Sequence, residues 1–169
     1  MESSIVIRYA GPEDIPVIGF LAQQIWPATY NSILPGDQLD YMMQIFYSPS
    51  SLLSQMQEKQ HQFILVEDEE EPVGFASFSA LAGTAKYKLH KIYVLPGQQG
   101  KGLGRLIIDF VLEDLKPRNA AALQLNVNRF NKARDFYEKI GFKVIGEEDV
   151  DIGNNFFMND FIMELPISD

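Results

Sequence analysis

The chain has 169 residues, 46% of them hydrophobic, with no cysteine and a formal net charge of -9. That length and apolar content suit one domain with its own core, residues 1–169, and the lack of cysteine excludes disulfides and a thiolate nucleophile. The acidic balance argues against nucleic acid or an anionic membrane as partner, and leaves either a cationic small molecule or plain solubility as its meaning.

Other classes fall away on the same grounds. A cysteine-free chain suits a reducing compartment, and the cytoplasm is expected. His61 and His90 lie far apart, so no metal site is expected. The sequence shows neither a signal peptide nor an apolar run near the roughly 20 residues needed to cross a bilayer.

Residues 3–9, "SIVIRYA", alternate and are β-branched, which predicts a first strand. A helix follows: Pro12, Glu13 and Asp14 suit its first turn, Ile15, Ile18, Leu21, Ala22 and Ile25 recur at helical spacing, and Pro27 is expected to end or kink it. A second helix begins near Asp37, with Leu39, Met42, Met43 and Phe46 on one face, and a third short helix follows a serine cap. Residues 62–67 and 73–81 read as a hairpin around an acidic turn, and 84–95 as a longer strand closed by Pro96-Gly97. Leu103, Leu106, Ile107, Phe110, Val111 and Leu115 mark a helix that Pro117 stops. Residues 121–128 form a strand, 132–140 a short helix ended by Gly141, and the stretches at 142–150 and 156–165 two closing strands. Hairpins beside strand–helix alternation predict a mixed α/β sheet.

"VLPGQQGKGLGRLII" (94–108) is the segment that raises a functional question. A strand, a glycine turn and a helix N-terminus in that order make a ready anion site, since free backbone N–H groups and the positive end of the dipole meet there. Lys101 and Arg105 add charge. The segment fails the P-loop pattern, because Lys101 is followed by Gly102, and it fails the dinucleotide pattern, because its spacing is G-x-G-x-G. On spacing alone it is either a phosphate cradle or a plain turn.

Gln99 to Gly104, "QGKGLG", resembles the Q/R-x-x-G-x-G/A signature of the GCN5-related N-acetyltransferase (GNAT) superfamily. "IYVLP" (92–96) before it is similar to the family's I/L-x-V-x-P strand end, and "NKARDFYEKIGF" (131–142) looks like its N-x-x-A-x-x-F-Y-x-x-x-G-F motif. The resemblance implies a mostly antiparallel sheet of six to seven strands with two splayed central parallel strands, 84–95 and 121–127, and four to five flanking helices. It implies acetyl-CoA as co-substrate. The backbone of Gln99, Gly100, Lys101, Gly102, Leu103, Gly104 and Arg105 would hold the pyrophosphate, with Gln98 nearby. Ile92, Tyr93 and Val94 would pair with the pantetheine as an added strand, and the Val94 N–H would meet the oxyanion. Asn131 would contact the cofactor near its sulfur; it also reads as a helix cap. Tyr137 would protonate the departing thiolate, a role its pKa near 10 suits; the alternative is a packing tyrosine beside Phe136.

The pattern departs at the base. Some members of the family carry a glutamate on the strand before the glycines, where this chain has Lys88. His90, on the same strand face as Lys88 and Ile92, is the candidate base or relay, or else a surface histidine; Glu67 is a weaker candidate. Trp26, Tyr30 and Asp37 are expected to line the acceptor pocket with the acidic stretch 146–155. "WPATYNSILPGDQLDYM" (26–42) resembles the spermidine/spermine-acetylating branch, which implies a polyamine or similar small amine. A protein N-terminal amine, or a CoA-binding sensor without catalysis, are the alternatives, and a homodimer is compatible with the pattern.

Overall fold

The computed structural model describes residues 4–167, so the expected start of the first strand at Ser3 lies outside them. Seven strands and five α-helices run in the order β1 (Ile5–Ala10), α1 (Ile15–Tyr30), α2 (Gly36–Tyr47), α3 (Pro49–Gln57), β2 (Gln62–Asp68), β3 (Glu71–Ala80), β4 (Lys86–Val94), α4 (Leu103–Leu115), β5 (Ala122–Asn128), α5 (Ala133–Ile140), β6 (Lys143–Gly153) and β7 (Phe156–Pro166). The strand order is β1-β2-β3-β4-β5-β7-β6. Among the described residues two compact units form: one holds the chain up to Ser79 together with Lys91–Phe110, the other Ala80–His90 together with Val111 onward.

In the first unit, β1 and β2 pair antiparallel from Ile5↔Asp68 to Ala10↔Phe63, and β2 pairs antiparallel with β3. The β2–β3 turn is tighter than the acidic run suggested. Glu69 and Glu70 adopt φ of 50° and 71°, the left-handed pair that a two-residue hairpin turn demands, so β3 already begins at Glu71. Helices α1, α2 and α3 bring Ile18, Leu21, Ile25 and Leu52 into a core with Phe63, Phe75 and Phe78, all at most 1% exposed. Pro27 neither ends nor breaks α1, which runs on to Tyr30. The proline removes one backbone donor near the helix end, where the last turn is held by Asn31 N–H donating to Pro27 O and by Thr29 Oγ1 donating to Ile25 O. Trp26 and Tyr30, with ring centroids 4.8 Å apart, anchor that turn.

In the second unit, β4 and β5 run parallel with register Lys86↔Ala122 to Leu89↔Leu125, and both strands continue past the last pair. β5 pairs antiparallel with β7, and β7 with β6. The β6–β7 turn uses Asn154 and Asn155 at φ 55° and 61°, residue types that tolerate this conformation. Alternation buries Leu123, Leu125 and Val127 on one face, with Met163, Val111, Leu115 and Phe142 in the same core. The opposite face is polar, as Gln124, Asn126 and Asn128 show.

Candidate active site

β4 ends at Val94 and a 3-10 turn, Pro96–Gln98, leads into the glycines. Gly100 and Gly102 have φ of +84° and +77°, and a Cβ at either would meet nothing within 4 Å. Conformation, not crowding, therefore requires glycine at both, and open space lies where side chains would have stood. α4 starts at Leu103, and Leu106 N–H donates to Gly102 O at 3.1 Å, so the first-turn N–H groups of Leu103, Gly104 and Arg105 precede the helical ladder. Arg105 pairs with Asp109 at 3.5 Å on an exposed surface, and Lys101 Nζ donates to Gln98 Oε1 at 3.0 Å. Neither cation is buried.

The strand side carries a feature that sequence reading missed. A Cβ on Gly74 of β3 would lie 2.7 Å from Tyr93 O and 3.4 Å from the Val94 Cα. Only a glycine lets the β3 backbone come so close to Tyr93 and Val94, and Leu95 N–H donating to Val73 O at 2.9 Å closes the same strip. Gly74 followed the expected hairpin turn and drew no notice because a lone strand glycine has no motif.

The three expected acceptor residues separate. Trp26 is 3% exposed, its Nε1–H donates to Tyr47 Oη at 3.0 Å, and its ring packs against Tyr30, Tyr47 and Tyr93. It is buried in the core, on the face of α1 that it shares with Ala22 four residues before it. Asp37 is exposed in the first turn of α2, where Oδ1 accepts from the Gln38 N–H at 3.0 Å. Tyr30 is half-buried, and its hydroxyl lies 3.0 Å from that of Tyr93.

Lys91, on the same strand face as Tyr93, is a second feature that was missed. Its Nζ donates to Gln55 Oε1 at 2.7 Å and lies 5.6 Å and 5.7 Å from the Tyr47 and Phe63 ring centroids. Burial, with a smaller push from Lys59, lowers its pKa to about 7.

In the second unit Tyr137 is 8% exposed and packs between Phe136 and Phe142, with centroids at 5.4 Å and 5.8 Å. Asn131 Oδ1 accepts from the Ala133 N–H at 2.9 Å, so the carbonyl of this side chain serves the entry to α5. The motif itself is one residue short here: Asn131 stands two positions before Ala133, not three, and Phe130 holds the position that N-x-x-A assigns to asparagine. His90 and Lys88 are half-buried on β4 with the same strand parity. No cluster of three or more His, Asp or Glu side chains able to hold a metal exists among the described residues, and no described helix is long and apolar enough to cross a membrane.

A mixed sheet whose strand feeds a glycine turn and a helix N-terminus is the α/β arrangement in which free backbone N–H groups can receive an anion. Comparison with known proteins narrows that class. The profile of the acetyltransferase (GNAT) domain matches residues 35–158, and the chain belongs to this family. It is similar to a [ribosomal protein bS18]-alanine N-acetyltransferase of Haemophilus influenzae, 36% identical over 85 residues, or 50% of this chain and 53% of that protein. It is also similar to a peptidyl-lysine N-acetyltransferase of Salmonella typhimurium, 34% identical over 90 residues, or 53% of this chain and 54% of that protein. The matches span about half the length of these curated relatives. Among solved structures, PaiA N-acetyltransferase from Thermoplasma acidophilum in complex with coenzyme A matches with a TM-score of 0.82 and 27% identity, over 96% of this chain and 99% of that one.

Proposed function

We propose that this chain transfers the acetyl group of acetyl-CoA to a primary amine by direct attack in a ternary complex. The observation that carries the reading is the glycine segment: Gly100 and Gly102 sit at positive φ with open space beside them, immediately before the N-terminus of α4. A pyrophosphate needs that combination of close backbone approach, uncommitted N–H groups and a favourable dipole. The roles follow residue by residue. The backbone from Gln99 to Arg105 holds the pyrophosphate. The edge of Ile92, Tyr93 and Val94 pairs with the pantetheine amides, and the Val94 N–H stabilises the oxyanion that forms as the neutral amine attacks the thioester carbon. Tyr137 gives its proton to the departing thiolate. With no cysteine in the chain, a thiol acyl-enzyme plays no part.

The acceptor is a primary amine. The alanine and peptidyl-lysine substrates in the relatives' names and the polyamine implied by residues 26–42 share that group. The test is acetyl-CoA binding by calorimetry. Gly102→Ala forces a side chain into φ +77° without a steric clash inside the protein. Acetyl-CoA affinity is expected to fall about tenfold, roughly 1.4 kcal/mol, in a protein that stays folded with its thermal midpoint lower by about 2–8 °C, from the ~1–2 kcal/mol of left-handed strain. Unaltered affinity would mean that the glycines only turn the chain.

A further inference from the structure

The peptide that joins Tyr93 to Val94 is held within the first unit by its carbonyl and by a side chain. Its carbonyl, Tyr93 O, faces β3, where a Cβ on Gly74 would lie 2.7 Å away. A trans peptide is planar, with C=O and N–H pointing in opposite directions, so the Val94 N–H is turned away from β3. One residue on, the Leu95 N–H donates to Val73 O at 2.9 Å and draws the strand back onto β3. The backbone groups of Tyr93 and Leu95 therefore face β3, and those of Val94 between them face the other edge of β4. On that edge the pairing of β4 ends at Leu89, so among the described residues no strand takes up the Val94 N–H.

The side chain of Tyr93 fixes the same peptide from the helix side. Its ring packs against Trp26 and Phe75, with centroids 5.7 Å away in each case, and both of those residues are at most 3% exposed. Its hydroxyl lies 3.0 Å from the hydroxyl of Tyr30. Tyr30 is the last residue of α1, and its own ring stands 4.8 Å from that of Trp26. Trp26 is tied in turn through Nε1–H to Tyr47 Oη at 3.0 Å. Ring packing sets the plane of a tyrosine but resists sliding within that plane only weakly. A directional hydrogen bond at the tip stops the slide. The ring is rigid from Cβ to Oη, so holding the hydroxyl against a helix end also holds the Tyr93 backbone.

We propose that the Tyr30–Tyr93 hydroxyl contact aims the Val94 N–H at the thioester carbonyl, which makes Tyr30 and Tyr93 positioning residues for the oxyanion donor. The proposal rests on the acetyltransferase reading, because it concerns the donor which that reading assigns to Val94. Without the contact the Tyr93 ring slides between Trp26 and Phe75 and the peptide tilts with it. A tilted N–H loses hydrogen-bond strength steeply. Cofactor affinity is carried by the pyrophosphate and pantetheine contacts of that reading and stays. The contact also links the end of α1 to the reacting peptide.

The test is isotope-edited infrared spectroscopy of acetyl-CoA labelled at its thioester carbonyl and bound to the full chain. Wild type, Tyr93→Phe and Tyr30→Phe are compared, with acetyl-CoA affinity measured by calorimetry on the same samples. In the wild type the carbonyl band is expected below that of free acetyl-CoA, because a hydrogen bond to the oxygen weakens the C=O bond. In each variant the band is expected to return towards the free position while the affinity is unchanged. Tyr30 is half-buried at a helix end, so its variant keeps the test readable if Tyr93→Phe does not fold. A band that stays at the wild-type position in either folded variant overturns the proposal, because the contact would then serve stability alone. A wild-type band at the free position overturns it too. A wild type that binds no acetyl-CoA overturns the acetyltransferase reading instead, so the two failures are distinguishable.

Discussion

Replacing Lys91 by Met is expected to flatten the dependence of stability on pH above neutrality. In the folded protein the Lys91 ammonium lies between Gln55 Oε1, 2.7 Å away, and the faces of Tyr47 and Phe63, with no ion pair among the described residues. Burial and the nearby Lys59 lower its pKa to about 7, whereas an unfolded lysine titrates near 10.4. Between those values the unfolded chain binds one more proton than the folded one, so stability rises with pH, by about 1.4 kcal/mol per unit at most. From pH 7.5 to 9.5 the gain is about 2–3 kcal/mol. Tyr47, pushed well above its ordinary value by burial, works in the opposite sense only from about pH 10 upward, where an unfolded tyrosine begins to ionise. The assay is urea unfolding of wild type and Lys91→Met at pH 7.5, 8.5 and 9.5. The wild type is expected to gain stability relative to the variant at each step. Two curves that stay parallel would refute the reasoning, because Lys91 would then keep its proton in the folded state.

Gly74→Ala puts a Cβ 2.7 Å from Tyr93 O; the strip at Val94 must shift, and kcat is expected to drop more than tenfold while circular dichroism stays native. Trp26→Phe removes the Nε1 hydrogen bond to the buried Tyr47 hydroxyl and is expected to cost about 1–3 kcal/mol of stability with the acceptor KM unchanged; a raised KM with full stability would return Trp26 to the acceptor site. Replacing Glu69-Glu70 by Asn-Gly relieves two left-handed residues of the β2–β3 turn and is expected to stabilise the protein by about 1 kcal/mol, read as a higher unfolding midpoint.

Local signals carried most of the fold. The β-branched alternation of β1, the spacing of Ile18, Leu21 and Ile25 in α1, and the C-terminal Gly141 of α5, at φ 124°, all reflect interactions within a few residues. Pro27 misled because its penalty is local while its compensation, the Trp26–Tyr30 packing, is tertiary. The same limit explains the site. The glycine turn was legible, since positive φ restricts residue choice at single positions. Gly74 and Lys91 were not, because their meaning lies in neighbours 19 residues from Gly74 and 36 from Lys91 along the chain. Asn131 was read from a motif whose spacing the chain does not keep, and the hydrogen bond to Ala133 N–H shows what its carbonyl does.

The most direct measurement is amine-dependent release of CoA from acetyl-CoA, followed with a thiol reagent across a panel containing 1,4-diaminobutane, spermidine, a lysine peptide and an alanine N-terminal peptide. With no cysteine, the protein itself contributes no thiol to the signal. Release that requires an amine, and that falls at least tenfold in Tyr137→Phe while acetyl-CoA binding persists, is the predicted result. Acetyl-CoA binding with no release for any amine, or release indifferent to Tyr137→Phe, would contradict the account.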